Sequence, residues 1–290
     1  MIAKTLLALG AAAAAGLTTR WIASGLVPSM KVVRRNHRGV PVPTGLGVAV
    51  LVGIAAGMAL VALVHAIDPQ AQTPLVALAF GGLAVLLLGF GFGVLGLFDD
   101  IAEQSERGWR VHLPALLHGK VTPGSLKVVG GGVIAFVFGA SSATSIGWAF
   151  IHAAVIALMA NLFNALDVRP GRAGKFFILG GVPMAIVGTV VTVPMAAVLG
   201  AVAAFLVFDL RERAMLGDAG SNAIGAILGG AVVAVHPVKW FEIALLAFLV
   251  ALTAVAEGPT LSTWIDRIGP LRAFDRAWRA ETRDISPTNG

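Results

Sequence analysis

LVALAFGGLAVLLLGFGFGVLGLFDD, residues 75–100, is an apolar run that ends on two adjacent aspartates. At 1.5 Å per residue, the stretch 75–98 is long enough to cross a hydrocarbon core of about 30 Å. Its Leu, Val, Phe and Gly do not alternate with polar residues, so it reads as a membrane helix and not as a barrel strand. The whole chain extends this pattern. Of its 290 residues 57% are hydrophobic and 12% charged, with a mean hydropathy of +0.88, too little polar surface to cover a soluble domain. The fold class expected is an all-α, polytopic integral membrane protein.

Spans are expected near 2–24, 45–66, 75–98, 126–141, 148–166, 176–191, 194–210, 222–236 and 240–257, about nine transmembrane helices. The first could pass for a signal peptide, but apolar spans continue along the chain, so it reads as a retained helix. Thr192 and Val193 alone separate the sixth and seventh spans, with Pro194 as helix start or kink. Pairs of small residues, such as Gly225 and Gly229, read as helix packing.

Nine crossings place the segments 28–44, 99–125, 167–175, 211–221 and the tail after Glu257 on one side. With Lys127, that side carries all but three of the 21 Lys and Arg; the three are Lys4, Arg20 and Lys239. The positive-inside rule makes it cytoplasmic, with the N-terminus outside and the C-terminus cytoplasmic. The same rule accounts for the net charge of +6, so no nucleic-acid partner is expected. There are no cysteines, which excludes disulfides, thiolate metal sites and Cys nucleophiles. Two domains follow: a helical membrane domain over 1–257, and a cytoplasmic tail over 258–290 that reads as a basic amphipathic helix on the membrane surface.

Three acidic stations lie on the basic side. The first is GLFDD, 96–100, where Asp99 and Asp100 repel unless a cation or basic groups compensate. In the second, NLFNALD, 161–167, Asn161, Asn164 and Asp167 recur every three residues and share one helix face. Such a stripe should face a polar cavity, and Arg169, Arg172 and Lys175 follow in a loop able to cradle phosphate. The third is MLGDAGSNAIG, 215–225. Gly217, Gly220 and Ser221 let a backbone approach a ligand, and a helix starting near Ser221 aims its N–H groups at an anion, with Asp218 on a shared cation. Alone, the stretch reads equally as a tight turn with Ser221 or Asp218 as N-cap. Together Asp99, Asp100, Asp167 and Asp218 suggest a hard-cation site for Mg2+ or Mn2+ completed by substrate phosphates. His112 and His118, near Trp109, read as residues of an interfacial helix.

These stretches, in this order, resemble the polyprenyl-phosphate N-acetylhexosamine-1-phosphate transferase superfamily. RRNHRGVPVPTGLG, 34–47, resembles its basic–His–Pro–Pro–Gly loop, FDD its paired aspartates, NLFNALD its Asn-x-x-Asn-x-x-Asp motif and MLGDAGSNAIG its Gly-Asp-x-Gly-Ser motif. The resemblance implies transfer of a sugar 1-phosphate from a UDP-sugar to polyprenyl phosphate, with Mg2+ and release of UMP, in cell-envelope glycan synthesis. It implies a multi-pass protein of the bacterial cytoplasmic membrane, and relatives often form homodimers. It makes Asp218, with Asp99 and Asp100, metal ligands or holders of the phosphates. Asn164 and Asp167 would orient the nucleotide-sugar or metal; Arg34, Arg35 and His37 would meet the lipid phosphate or headgroups. The chain departs from the pattern after Asp167, which VRPGRAGK follows, and lacks the family's His-x-His-His loop and a last span. A second reading is therefore a non-catalytic polyprenyl-phosphate-binding scaffold. A transporter is a third; it would place charges at mid-membrane.

Overall fold

The computed structural model describes residues 2–67, 75–102, 118, 122–187, 191–235, 238–256 and 260–279. His112, Trp109 and the tail beyond 279 lie outside the described residues. The described residues form helices joined by short connections, and the strands among them make one short hairpin. In order, the elements are α1 (Ile2–Leu26), β1 (Val33–Arg35), β2 (Pro41–Pro43), α2 (Gly47–Ile67), α3 (Leu75–Ile101), α4 (Pro123–Ser142) and α5 (Ile146–Leu166). Then come α6 (Arg172–Val187), α7 (Thr192–Leu210), α8 (Gly217–Ala234), α9 (Lys239–Ala256), α10 (Thr260–Arg267) and α11 (Gly269–Arg276).

Each of the nine expected spans corresponds to one helix, α1 to α9. Six of them are long and apolar enough to cross a membrane, counted over the described residues. The other three are α6, with 16 residues and an internal Pro183, and α8 and α9, with 18 each. The chain is an all-α polytopic membrane protein. The hairpin was not expected: within the basic segment 28–44, Val33, Arg34 and Arg35 pair antiparallel with Pro43, Val42 and Pro41.

Local sequence sets the helix ends. Thr122 caps α4, its hydroxyl accepting from the Ser125 N–H while Ser125 reaches back to the Thr122 N–H. The Ser145 hydroxyl caps α5 by accepting from the Trp148 N–H at 3.4 Å.

Helix α8 is the axis of the molecule. It is buried along nearly its whole length and packs between α3 and α5, with α2, α4 and α6 completing its surroundings. In lipid, apolar side chains gain little by leaving the acyl chains for a neighbouring helix, so close backbone approach must hold the bundle. Small residues allow it. A Cβ on Gly225 would lie 2.6 Å from the Met159 carbonyl oxygen, and one on Gly229 would lie 2.9 Å from Ile156 Cα. On the other flank α1 packs against α7 and α2. Helix α9 lies chiefly along α5 and leads into α10. This packing brings the ends of α3 and α5 and the starts of α4 and α8 to one face.

Candidate active site

The site is built around the first turn of α8. Gly217 has φ +68°, in the left-handed region that side chains disfavour. It also has no room for one: a Cβ would lie 2.5 Å from Asp100 Oδ2 and 2.6 Å from the Gly45 nitrogen. The preceding residues are tied to the end of the hairpin. The Met215 N–H donates to the Pro43 carbonyl at 2.8 Å, and the Gly47 N–H to the Leu216 carbonyl at 2.9 Å. Gly220 packs against Gly47, whose Cα would lie 2.8 Å from an added Cβ. The glycines around Asp218 thus serve close packing of the protein against itself.

The N–H groups of that helix end, which lack partners within the helix, are satisfied by other parts of the chain. Asp100, 4% exposed, accepts from the Asp218 N–H at 3.1 Å and the Ala219 N–H at 3.0 Å. Asp167 accepts from the Gly217 N–H. Two carboxylates of the chain occupy the place where an anionic ligand was expected, and the helix dipole favours them there. Ser221 is fully buried and donates to the Gly217 carbonyl at 2.8 Å and to Asn164 at 3.4 Å. It is an internal tie and not a cap.

Asp218 turns its carboxylate towards a cavity of about 1580 Å3. Lys127, near the start of α4, donates to Asp218 and, at 3.4 Å, to Asp99. The Asp99 carboxylate reaches that of Asp218. Asn164 donates its amide to Asp218 at 3.3 Å. Arg34 lies 3.5 Å from Asp100 and 3.7 Å from Asp218, and it donates to the Asp99 carbonyl at 3.0 Å. The hairpin thereby fastens both aspartates of the α3 terminus and that of α8. Arg35, His37, Asn161 and Asp167 also line the cavity. Burial pushes the Asp167 carboxyl well above the carboxylate range, and the charges of Asp209, Asp218 and Asp100 add to the shift. Burial lowers the His37 imidazole below its ordinary value; Glu212 opposes this, while Arg279, Arg169 and Arg38 add to it.

The donor set suits a hard cation. Asp99 and Asp218 place carboxylate oxygens together at the cavity wall beside the Asn164 amide, and Mg2+ typically takes one or two protein carboxylates and completes its shell with phosphate and water. Among the described residues no group of three or more His, Cys, Asp or Glu encloses a metal unaided. Asp100, expected among the ligands, has both oxygens committed to backbone N–H groups.

Arg169, Arg172 and Lys175, read from sequence as a phosphate cradle, are not among the residues lining this cavity. They hold the tail. Arg169 donates to both oxygens of Asp266, at 3.1 and 2.7 Å. Arg172, fully buried, donates to both oxygens of Asp275 at 2.7 and 3.0 Å. Lys175 donates to the carbonyls of Phe274, Asp275 and Ala277, closing the end of α11. Tail residues Leu261 and Ile265 are buried, and Phe274 meets Phe176 edge-on at 5.5 Å.

Two features escaped the sequence reading. In the sequence Lys127 counts only towards membrane orientation; its signal is a lysine near the start of an apolar helix on the acidic side. Asp209 and Glu212, in FDLRER, 208–213, lie beside Asp167 in a small pocket. Glu212 accepts from Asn36 at 2.7 Å and from Arg38, which clamps the hairpin.

A family model for glycosyl transferase family 4 matches residues 82–236, which include all three acidic stations. The phospho-N-acetylmuramoyl-pentapeptide-transferase of Desulforudis audaxviator (strain MP104C) is 28% identical over 183 residues, covering 52% of each chain. The chain thus spans about half the length of the curated relative it matches.

Proposed function

The chain belongs to glycosyl transferase family 4, and from that premise we propose that it transfers a sugar 1-phosphate from a UDP-sugar to polyprenyl phosphate on the cytoplasmic face of a bacterial membrane. An oxygen of the lipid phosphate attacks the sugar-bearing phosphorus, the bond to the nucleotide phosphate breaks, and UMP leaves. The observation that carries the reading is the shape and polarity of one cavity. Asp99, Asp218, Lys127 and Arg34 gather at its polar end, and Phe92, Val128, Gly131 and Leu158 line an apolar part. A phosphorylated lipid has the same two parts.

Asp218 and Asp99 would hold Mg2+ or Mn2+, which supplies charge neutralisation for the diphosphate. Lys127 and Arg34 offer donors to phosphate oxygens from two separate segments. Asn164 keeps the Asp218 carboxylate in place through its amide. Asp100 fixes the start of α8, and so the position of Asp218, without needing to touch substrate.

The test is transfer of radiolabelled sugar phosphate to undecaprenyl phosphate from a panel of UDP-sugars, with and without Mg2+, in wild type and Asp218→Asn. Metal-dependent product that disappears in the variant is expected. The engagement of the 169–175 loop by the tail favours a second reading, a lipid-binding scaffold. No product from any donor, with polyprenyl phosphate still bound by folded protein, would establish it instead.

A further inference from the structure

Clamping the tail to the protein sorts the charges of the tail. Asp266 and Asp275, the acids among its described residues, turn inward to Arg169 and Arg172. Arg279 also returns to Asp275, at 2.6 Å. Arg267, Arg272 and Arg276 stay outside and exposed. Arg276 comes no nearer than 4.0 Å to Asp266. The outer face of α10 and α11 therefore carries three guanidinium groups, while the acids are already matched within the protein.

Large apolar side chains share that outer face. Trp264 is 54% exposed, Ile268 45% and Trp278 74%. Along α11, Leu271, Phe274 and Asp275 are buried or half-buried, and Arg272, Ala273 and Arg276 fall on the opposite side at helical spacing. Just past α11, Trp278 has φ +60°, a left-handed conformation that side chains disfavour. At that bend Arg279 folds back to Asp275 while Trp278 remains outside.

A face of tryptophan and arginine suits a bilayer surface or a soluble acidic partner, and position favours the bilayer. Residues 257–259 join α10 to the apolar helix α9, so Thr260 lies within about 14 Å of the end of that helix. Tryptophan rings settle at headgroup level, and arginine pairs with phosphate oxygens. We propose that the outer face of α10 and α11 docks on anionic phospholipid headgroups. Trp264, Ile268 and Trp278 enter the interface, and Arg267, Arg272 and Arg276 meet the phosphates. Asp266 and Asp275 do not repel the membrane, because Arg169 and Arg172 hold them on the inner side. Through that clamp the membrane braces Arg169, which lines the small pocket beside Asp167. The surface stands on its own geometry and does not depend on the proposed transferase activity.

The absence of cysteine makes the test direct. Bimane attached to Ala273→Cys reports on the outer face. The full chain is placed in nanodiscs of phosphatidylcholine, with or without phosphatidylglycerol, containing lipid spin-labelled at the headgroup. A water-soluble quencher is applied in parallel. Headgroup quenching should rise about twofold or more with phosphatidylglycerol and fall back in high salt, with soluble quenching moving the opposite way. Arg267→Gln, Arg272→Gln and Arg276→Gln combined should return headgroup quenching to the phosphatidylcholine level. Slow proteolysis of the tail would show that the clamp of Asp275 by Arg172 survives in that variant. Arg272→Gln alone should give a partial loss, and it carries the test if the combined variant is cut quickly. Equal headgroup quenching with and without phosphatidylglycerol would overturn the proposal. So would variants with a clamped tail that keep the full phosphatidylglycerol dependence. A face open to the soluble quencher in both membranes would also overturn it, and would mark the surface as one for an acidic soluble partner.

Discussion

Lys127 stands between two carboxylates that would otherwise repel, and its ammonium is aimed at the cavity where phosphates are proposed to react. Lys127→Met should lower sugar-phosphate transfer by about 100-fold or more, the scale at which removing one charge-stabilising donor is felt. Loss of less than tenfold in a steady-state assay of UMP release would show that Lys127 only balances charge. Asp100 makes a different prediction. Asp100→Ala leaves two buried N–H groups of α8 without acceptors, at about 1–3 kcal/mol each. Asp100→Asn keeps one acceptor oxygen. The alanine variant should therefore melt at a clearly lower temperature than the asparagine variant, by thermal unfolding of purified protein.

At the scale of elements, the tail is docked by buried charge. Asp275→Ala leaves Arg172 buried without its carboxylate, a loss of about 3–5 kcal/mol. Limited proteolysis should then cut α10 and α11 much faster than in wild type. The pH dependence has a definite sign. Burial works against the Asp275 carboxylate, but Arg172 and Arg279 outweigh it and hold it below the usual range. The hydrogen bond from Arg169 does the same for Asp266. Groups lowered in this way stabilise docking above the ordinary Asp value of about 3.9, and lose that contribution as pH falls through their lower folded values. A spin label at Trp278→Cys should thus stay ordered from neutral pH to about pH 5 and loosen only in stronger acid. Packing of α8 gives an independent test. Gly225→Val drives a side chain into the α5 backbone and should abolish recovery of folded protein. Gly132→Val, where nothing lies within 4 Å, should be tolerated.

For the whole molecule, the open quantity is its orientation. The crowding of Lys and Arg on the face that carries Asp99, Asp167 and Asp218 predicts that this face is cytoplasmic. A single cysteine at Arg272 should react with an impermeant maleimide in inverted vesicles and not in intact cells; one at Val238, 59% exposed, should behave the opposite way. Reversal of both patterns would move the proposed chemistry to the other side of the membrane.

Hydropathy by itself located the nine apolar helices, because a chain in lipid must close its backbone hydrogen bonds locally and six of them are long and apolar enough to cross it. The same local logic exposed the acidic stations, since a carboxylate at the end of an apolar run is costly without a purpose. Roles within those stations were decided only by the tertiary structure. Asp99 and Asp100 are neighbours in sequence and equivalent to any sequence reading. One full helical step turns Asp99 to the cavity with Lys127 and Asp100 to the N–H groups of α8, 118 residues away along the chain. Arg172 read as a ligand-binding cation because its partner Asp275 lies 103 residues further on. Pairing at such separations depends on how helices pack, and composition and spacing carry no record of it.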